Sequence, residues 1–148
     1  MNVKSTLAAC LLAVAIAAPA SAQQGAAPTL YKRLGGYDAI AAVTDDFLGK
    51  LATDPQFKPF FAGHSTDSIK KIRQLIVDQL CTATGGPCVY VGRDMKTAHA
   101  GLGITEAQWD ASVKLLVATL DKFSVPVKEK DDVLGAVGGL KKDIVEKP

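Results

Sequence analysis

Residues 83–105 read ATGGPCVYVGRDMKTAHAGLGIT. A Gly85-Gly86-Pro87 break opens the stretch and ends whatever helix precedes it. CVYV (88–91) has the composition of a strand, but no run of similar length is there to pair with it. A loop is therefore expected, followed by about two turns of helix over 94–100. That short helix carries His99, one of only two histidines in the chain, among small residues and two glycines. On composition alone His99 is either a packed core residue or a donor atom to something bound.

Helical periodicity runs outward from this stretch in both directions. Upstream, Ile69, Ile72, Ile76 and Leu80 share one face of a helix that Ser65 or Thr66 can cap. Before it, YDAIAAVTDDFLGKLATD (37–54) carries Ile40, Val43, Phe47 and Leu51 as a stripe. Asp54-Pro55 closes that helix, because a residue before proline avoids helical dihedrals. LYKRLGG (30–36) reads as one short turn, and QFKPFFAG (56–63) as an aromatic corner rather than an element. Downstream, ITEAQWDASVKLLVATLDKF (104–123) is the clearest helix. Thr105 and Gln108 make a capping box, and Trp109, Val113, Leu116, Leu120 and Phe123 form the stripe. A last helix is expected from about Lys128 to Glu146, with Val133, Val137, Leu140 and Ile144 inward and Gly135, Gly138 and Gly139 weakening it. The expected class is all-α, with five or six helices; periodicity alone equally allows a simple four-helix bundle.

The amino terminus predicts export. Lys4, the apolar run TLAACLLAVAIAAP (6–19) and the small residues ASA (20–22) have the layout of a secretory signal peptide cut after Ala22. The run is shorter than the ~20 residues a membrane anchor needs. LAAC (7–10) also resembles a lipoprotein processing site, but most of the apolar run follows Cys10. The expected organisation is thus a signal peptide at 1–22, a flexible lead-in at 23–29 and one domain at 30–148. Cleavage leaves 16 basic and 15 acidic residues. That near-neutral balance argues against a nucleic-acid surface, and no further apolar run reaches membrane length. An exported, periplasmic or secreted monomer is expected.

Cys81 and Cys88 flank TATGGP. In an oxidising compartment such a pair is expected to form a disulfide, with two reduced buried thiols as the alternative. A protein-only metal site needs more soft ligands than two cysteines and a distant histidine. No serine, histidine and acid fall into a triad, and no paired carboxylates share an apolar helix face. The glycine-rich stretches lack the strand and lysine of a phosphate cradle. What remains is His99 among apolar helices. A haem iron brings four ring nitrogens and needs one protein atom, so a single imidazole is sufficient.

At this point the ordered motifs resemble a known family. LYKRLGG, DDFLGKLATDPQFKPFF and ATGGPCVYVGRDMKTAHAGLGIT occur in the order found in group I truncated haemoglobins, covering Leu30 to about Val145. The resemblance implies a two-over-two helical sandwich around haem b, with His99 as the axial iron ligand. Its other ring nitrogen would donate to a backbone carbonyl about one turn earlier, near Met95. Phe61, or its neighbour Phe60, matches the aromatic residue that packs on the haem. Trp109, Val113 and Leu116 would line the pocket, with Phe47, Leu80, Tyr90 and Ile104 contributing. Arg93 and Lys96 would reach the propionates, or else remain solvated surface charges.

The distal side departs from the family pattern. Members commonly carry a tyrosine after the second-helix phenylalanine and glutamines on the facing helix. Here Leu48 follows Phe47, and counting back from Gly85-Gly86 places Ile72, Leu75 and Ile76 at the facing positions. Counting from the aromatic corner instead brings in Ile69, Lys70, Arg73 or Gln74. His64 in the corner is an exposed loop residue or a sixth ligand. The expected function is binding of diatomic gas (oxygen, nitric oxide or carbon monoxide) in an apolar pocket. The alternatives are a six-coordinate haem for electron transfer or redox sensing, and a haem-free helical interaction module. The expectation extends to nitric oxide dioxygenation or peroxidase-like side chemistry, and to a reductase partner that the sequence does not name. No CxxCH motif is present, so covalent attachment through such a motif is not expected.

Overall fold

The computed structural model describes residues 27–148. The expected signal peptide, the Cys10 processing site and residues 23–26 of the lead-in lie outside the described residues. Thr29, placed by the sequence in the flexible lead-in, instead caps the first helix: its side chain accepts from Lys32 N.

Eight helices follow among the described residues: α1 (Leu30–Arg33), α2 (Gly36–Thr53), α3 (Lys58–Phe61), α4 (Thr66–Ala83), α5 (Met95–His99), α6 (Glu106–Lys122), α7 (Val127–Gly138) and α8 (Lys141–Ile144). Four are single-turn or near single-turn pieces; the count exceeds the five or six expected because the aromatic corner contains α3 and the last helix is split into α7 and α8. The aromatic corner contains one of them, α3, started by Pro59 in its first turn.

The four long helices do the packing. α2 lies against both α4 and α6, and α6 against α7. Two stripes on α2 serve these two neighbours. Val43 and Phe47 pack against the cluster of Leu116, Leu120 and Val133 from α6 and α7. Ile40, Thr44 and Leu48 are buried one step round the helix, and Thr44 satisfies its hydroxyl on Ile40 O at 2.8 Å. The expected α4 stripe is only half-buried. Its fully buried residues are Val77 and Cys81, on the neighbouring face.

Both long-helix ends near the core close by the same device. At the end of α4, Gly86 N donates to Cys81 O at 2.8 Å and Gly85 N to Thr82 O at 3.1 Å, with Gly85 at φ 80°. At the end of α6, Val125 N donates to Leu120 O and Ser124 N to Asp121 O, with Ser124 at φ 53°. These are Schellman closures, which use a left-handed residue to satisfy the last carbonyls. The second turns Phe123 away from the core. Expected inward, it is 40% exposed, with the Lys122 ammonium 5.9 Å from its ring centroid.

The single last helix expected over 128–146 is instead α7 and α8, interrupted at Gly139–Leu140. Three glycines at 135, 138 and 139 each cost roughly 0.5–1 kcal/mol of helix stability relative to alanine. After α8 the chain is extended: Val145 has φ −78° and ψ 124°. The tail lies beside the segment that follows α5, forming an isolated parallel bridge between Thr105 and Lys147. CVYV forms no strand, and Val89 and Val91 are exposed.

Candidate functional site

His99 is the last residue of α5 and is half-buried. Asp94 starts this helix, accepting from Thr97 N at 2.9 Å and from Thr97 Oγ1 at 2.7 Å. Those bonds, the amide first, hold the Asp94 carboxyl below its ordinary range. The imidazole Nδ1 lies 2.8 Å from Met95 O. A carbonyl oxygen only accepts, so Nδ1 carries the proton and Nε2 keeps its lone pair. The ring is thus fixed as the tautomer that can bind a metal through Nε2. This is the bond that the resemblance placed near Met95.

The upstream loop is anchored by covalent and packing constraints. Cys81 at the end of α4 is bonded to Cys88, with Cα atoms 5.8 Å apart, as the flanking Gly-Gly-Pro turn led one to expect. Gly86 is pressed between Tyr31 and Cys81, and Tyr31 N donates to Thr84 O at 2.8 Å. The LYKRLGG segment therefore braces the α4 end from which the His99 loop departs. Further along, Tyr90 is half-buried and its hydroxyl donates to Arg93 O at 2.6 Å. Arg93 and Lys96 are exposed.

Downstream, Gly101 and Gly103 turn the chain towards α6 with φ 81° and 66°. Glu146 in the tail accepts from Gly101 N at 2.7 Å and from Gly103 N at 2.5 Å. Ile104, half-buried, gives its carbonyl to Glu146 N at 2.9 Å and Lys147 N at 3.2 Å. The capping box is present: Thr105 and Gln108 bond reciprocally at the start of α6. On α6, Trp109 and Leu116 are buried and Val113 half-buried. Leu116 belongs to the cluster that also takes Phe47.

A surface cavity of about 420 Å³ opens between α2, α3 and α4. Leu48, Phe61 and Ile69 give it apolar walls, with Asp45 on α2 and Thr66, Lys70 and Arg73 on α4 as its polar lining. Of the residues counted from the aromatic corner, Ile69, Lys70 and Arg73 line this cavity with Leu48 and Phe61, and Gln74 does not. Ile72, Leu75, Ile76 and Leu80 are half-buried on α4 but do not line this cavity, and neither does the half-buried Phe60. The charged side chains on this cavity, and Gln74 beside it on α4, have other partners. Arg73 donates to both Asp45 oxygens, Lys70 pairs with Asp67 at 3.5 Å, and Gln74 donates to Tyr37 Oη and Asp78. The Arg73 guanidinium holds the Asp45 carboxyl below its ordinary range. His64 is exposed in the turn between α3 and α4.

Among the described residues no three His, Cys, Asp or Glu side chains gather as a metal site. His99 offers one nitrogen, which suits a metal that arrives with its other ligands already in place. A haem fits that donor set.

Comparison with known proteins decides the matter. The family described as "Bacterial-like globin" matches residues 29–146. The chain belongs to the group 1 truncated haemoglobins. It is 35% identical over 119 residues to a group 1 truncated hemoglobin of Nostoc commune, covering 80% of this chain and 98% of that protein. The corresponding protein of Mycolicibacterium paratuberculosis is 31% identical over 116 residues, covering 78% and 83%. The solved truncated hemoglobin of Tetrahymena pyriformis in its Fe(III) form superposes with a TM-score of 0.73 at 30% identity, covering 81% of this chain and all of the other. A Synechococcus 2/2 hemoglobin, solved in the cyanomet state with covalently attached heme, gives 0.72 at 30% identity, covering 80% and 98%. This truncated haemoglobin therefore has the two-over-two helical sandwich, in which α2 and α4 pair across α6 and α7. It is a haem-binding globin, and globins bind diatomic gases at the haem. No helix among the described residues is long and apolar enough to cross a membrane.

The tail contacts were not legible in the sequence, because Val145 and Glu146 fall within the last helix expected over 128–146. The glycine run at 135–139 was the available signal that the helix would stop early.

Proposed function

We propose that His99 is the axial ligand of a haem b, and that this globin binds oxygen, nitric oxide or carbon monoxide in an apolar pocket. One observation carries the ligand assignment: the Nδ1 bond to Met95 O leaves Nε2 as the free, lone-pair-bearing nitrogen of the only histidine on the proximal segment. A bound haem would supply the iron that takes the gas.

The protein's own residues act in three ways. Met95 O fixes the tautomer and ring plane of His99. Trp109, Val113 and Leu116 present apolar surface from α6, and Arg93 and Lys96 offer exposed cations for the propionates. Leu48, Phe61 and Ile69 supply an apolar distal wall; of the two cations on the cavity, Arg73 is held by Asp45 and Lys70 pairs with Asp67. A gas that gains partial negative charge on binding would find both cations already paired. A hydrogen bond to such a gas is worth ~1.5–3 kcal/mol, so oxygen should be released at least tenfold faster than from a pocket with a donor. Carbon monoxide depends less on it. The protein also acts after export, a reading supported by its amino-terminal layout and by the Cys81–Cys88 bond.

Absorption spectra of the purified protein in ferric, ferrous and carbon monoxide-bound forms test the reading. A Soret band that changes with each form in the wild type, and is lost or altered in His99→Ala, is expected. An unchanged spectrum in His99→Ala sinks the ligand assignment. His64→Ala should leave every form unaltered; a changed resting spectrum would revive the six-coordinate alternative.

A further inference from the structure

Glu146 lies in the extended tail beyond α8, and both of its carboxylate oxygens are committed to the turn just after His99. One accepts from Gly101 N at 2.7 Å, the other from Gly103 N at 2.5 Å. The amides of Glu146 and Lys147 in turn bond to Ile104 O, and Lys147 O accepts from Glu106 N at 3.1 Å. We propose that Glu146 is a positioning residue for the proximal histidine, holding the 101–103 turn so that Nε2 of His99 points in one fixed direction. The proposal rests on the reading of His99 as the iron ligand.

The argument starts from what α5 lacks. It has five residues, far below the length at which a helix holds itself in water. Its first turn is capped by Asp94, but at its other end Ala100 is extended, with φ −57° and ψ 128°. The next residues include two glycines in left-handed conformations, where backbone freedom is greatest. Beyond the histidine the turn has one backbone bond of its own, Leu102 N to His99 O at 3.1 Å. Glu146 adds the two bonds that tie this turn to the rest of the fold. A carboxylate can take two N–H donors at once because both oxygens accept; an amide has one accepting oxygen and would turn its NH₂ against the second donor. Glutamine is therefore a poor substitute despite its near-identical shape.

The test uses the full-length, haem-loaded protein. Wild type, Glu146→Gln and Glu146→Ala are compared by two readouts: the iron–histidine stretching band of the ferrous unliganded form, and the rate of haem transfer to excess apomyoglobin. Glu106→Gln is the control. It removes the Lys141–Glu106 pair at the neighbouring junction, 3.5 Å apart, without touching either glycine. Both Glu146 variants should shift or broaden the band and speed haem loss about tenfold or more, the scale of a lost charge-assisted bond. Glu106→Gln should change neither. The proposal is overturned if the Glu146 variants keep the band and lose haem within about twofold of wild type, or if Glu106→Gln moves the band equally. His99→Gly separates the two failures: if it retains the wild-type band, the ligand reading itself has failed, whatever Glu146 does.

Discussion

Arg73 on α4 clasps Asp45 on α2 with two parallel hydrogen bonds, Nε to Oδ1 at 2.6 Å and Nη2 to Oδ2 at 2.9 Å. The pair stands on the cavity that also contains Leu48 and Phe61. A cation that is otherwise available as a hydrogen-bond donor is thereby held against a carboxylate.

Asp45→Ala should release that cation. Arg73 is then free to donate into the distal cavity, and oxygen release should slow by roughly tenfold, the scale of a hydrogen bond to a charged partner. Stopped-flow measurement of oxygen dissociation checks this. Stability should change by less than about 1 kcal/mol, because the pair is partly exposed. The double variant Asp45→Ala/Arg73→Ala should return the rate to the wild-type value; a slow double variant would show that Arg73 is not the cause.

Asp46 predicts a pH dependence of stability. Its carboxylate accepts from Lys122 and Lys50 and, at 3.0 Å, from the buried Thr119 hydroxyl, tying α2 to α6. The Lys122 and Lys50 ammonium groups, in that order, hold its pKa far below the ordinary 3.8. A depressed carboxyl stabilises the fold above its unfolded value and loses that contribution as pH falls towards the folded one. The stability gap between wild type and Asp46→Asn should therefore be constant from about pH 5 to 8 and close below about pH 4. Urea unfolding across that range measures it. A gap that widens towards acid contradicts the assignment.

Gly86→Ala should destabilise the protein. A Cβ there would lie 2.5 Å from Tyr31 Cδ2, 2.7 Å from Cys81 Sγ and 2.8 Å from Cys81 O. The last is backbone and cannot move aside. Overpacking of this kind costs typically ~1–3 kcal/mol, which a denaturant midpoint would resolve. An unchanged midpoint would mean that α1 does not brace the end of α4.

Ser124→Gly should have the opposite effect. Ser124 closes α6 at φ 53°, a conformation that costs a residue with a side chain roughly 1 kcal/mol. Glycine removes that cost, partly offset by its greater freedom when unfolded. The melting temperature should rise by a few degrees, with ligand binding unchanged. A drop would mean that the serine side chain contributes more than its backbone costs.

Much of this was legible in the sequence because it is local. The Thr105–Gln108 box, the cysteine pair across Gly-Gly-Pro and the His99–Met95 spacing each lie within about two helical turns, and each is present in the structure. What periodicity could not supply was relative placement. Counting from Gly85-Gly86 and counting from the aromatic corner give different α4 residues, and periodicity cannot choose between them; the cavity beside Leu48 and Phe61 is lined from α4 by Thr66, Ile69, Lys70 and Arg73. Phe123 was misread because its helical spacing continues past the point where the Ser124 turn redirects it. The last helix was overextended because Leu140 and Ile144 keep the period after the backbone has broken.

The Glu146 contacts also set an order of assembly. The Asp94 cap and the His99–Met95 bond span three and four residues, whereas Glu146 and Gly101 are separated by 45. Closing the longer loop is entropically slower, so the histidine arm forms early and is secured late. Haem meeting the chain between those two moments would find a ligand already present on an arm still free to swing, and capture would then complete folding rather than follow it.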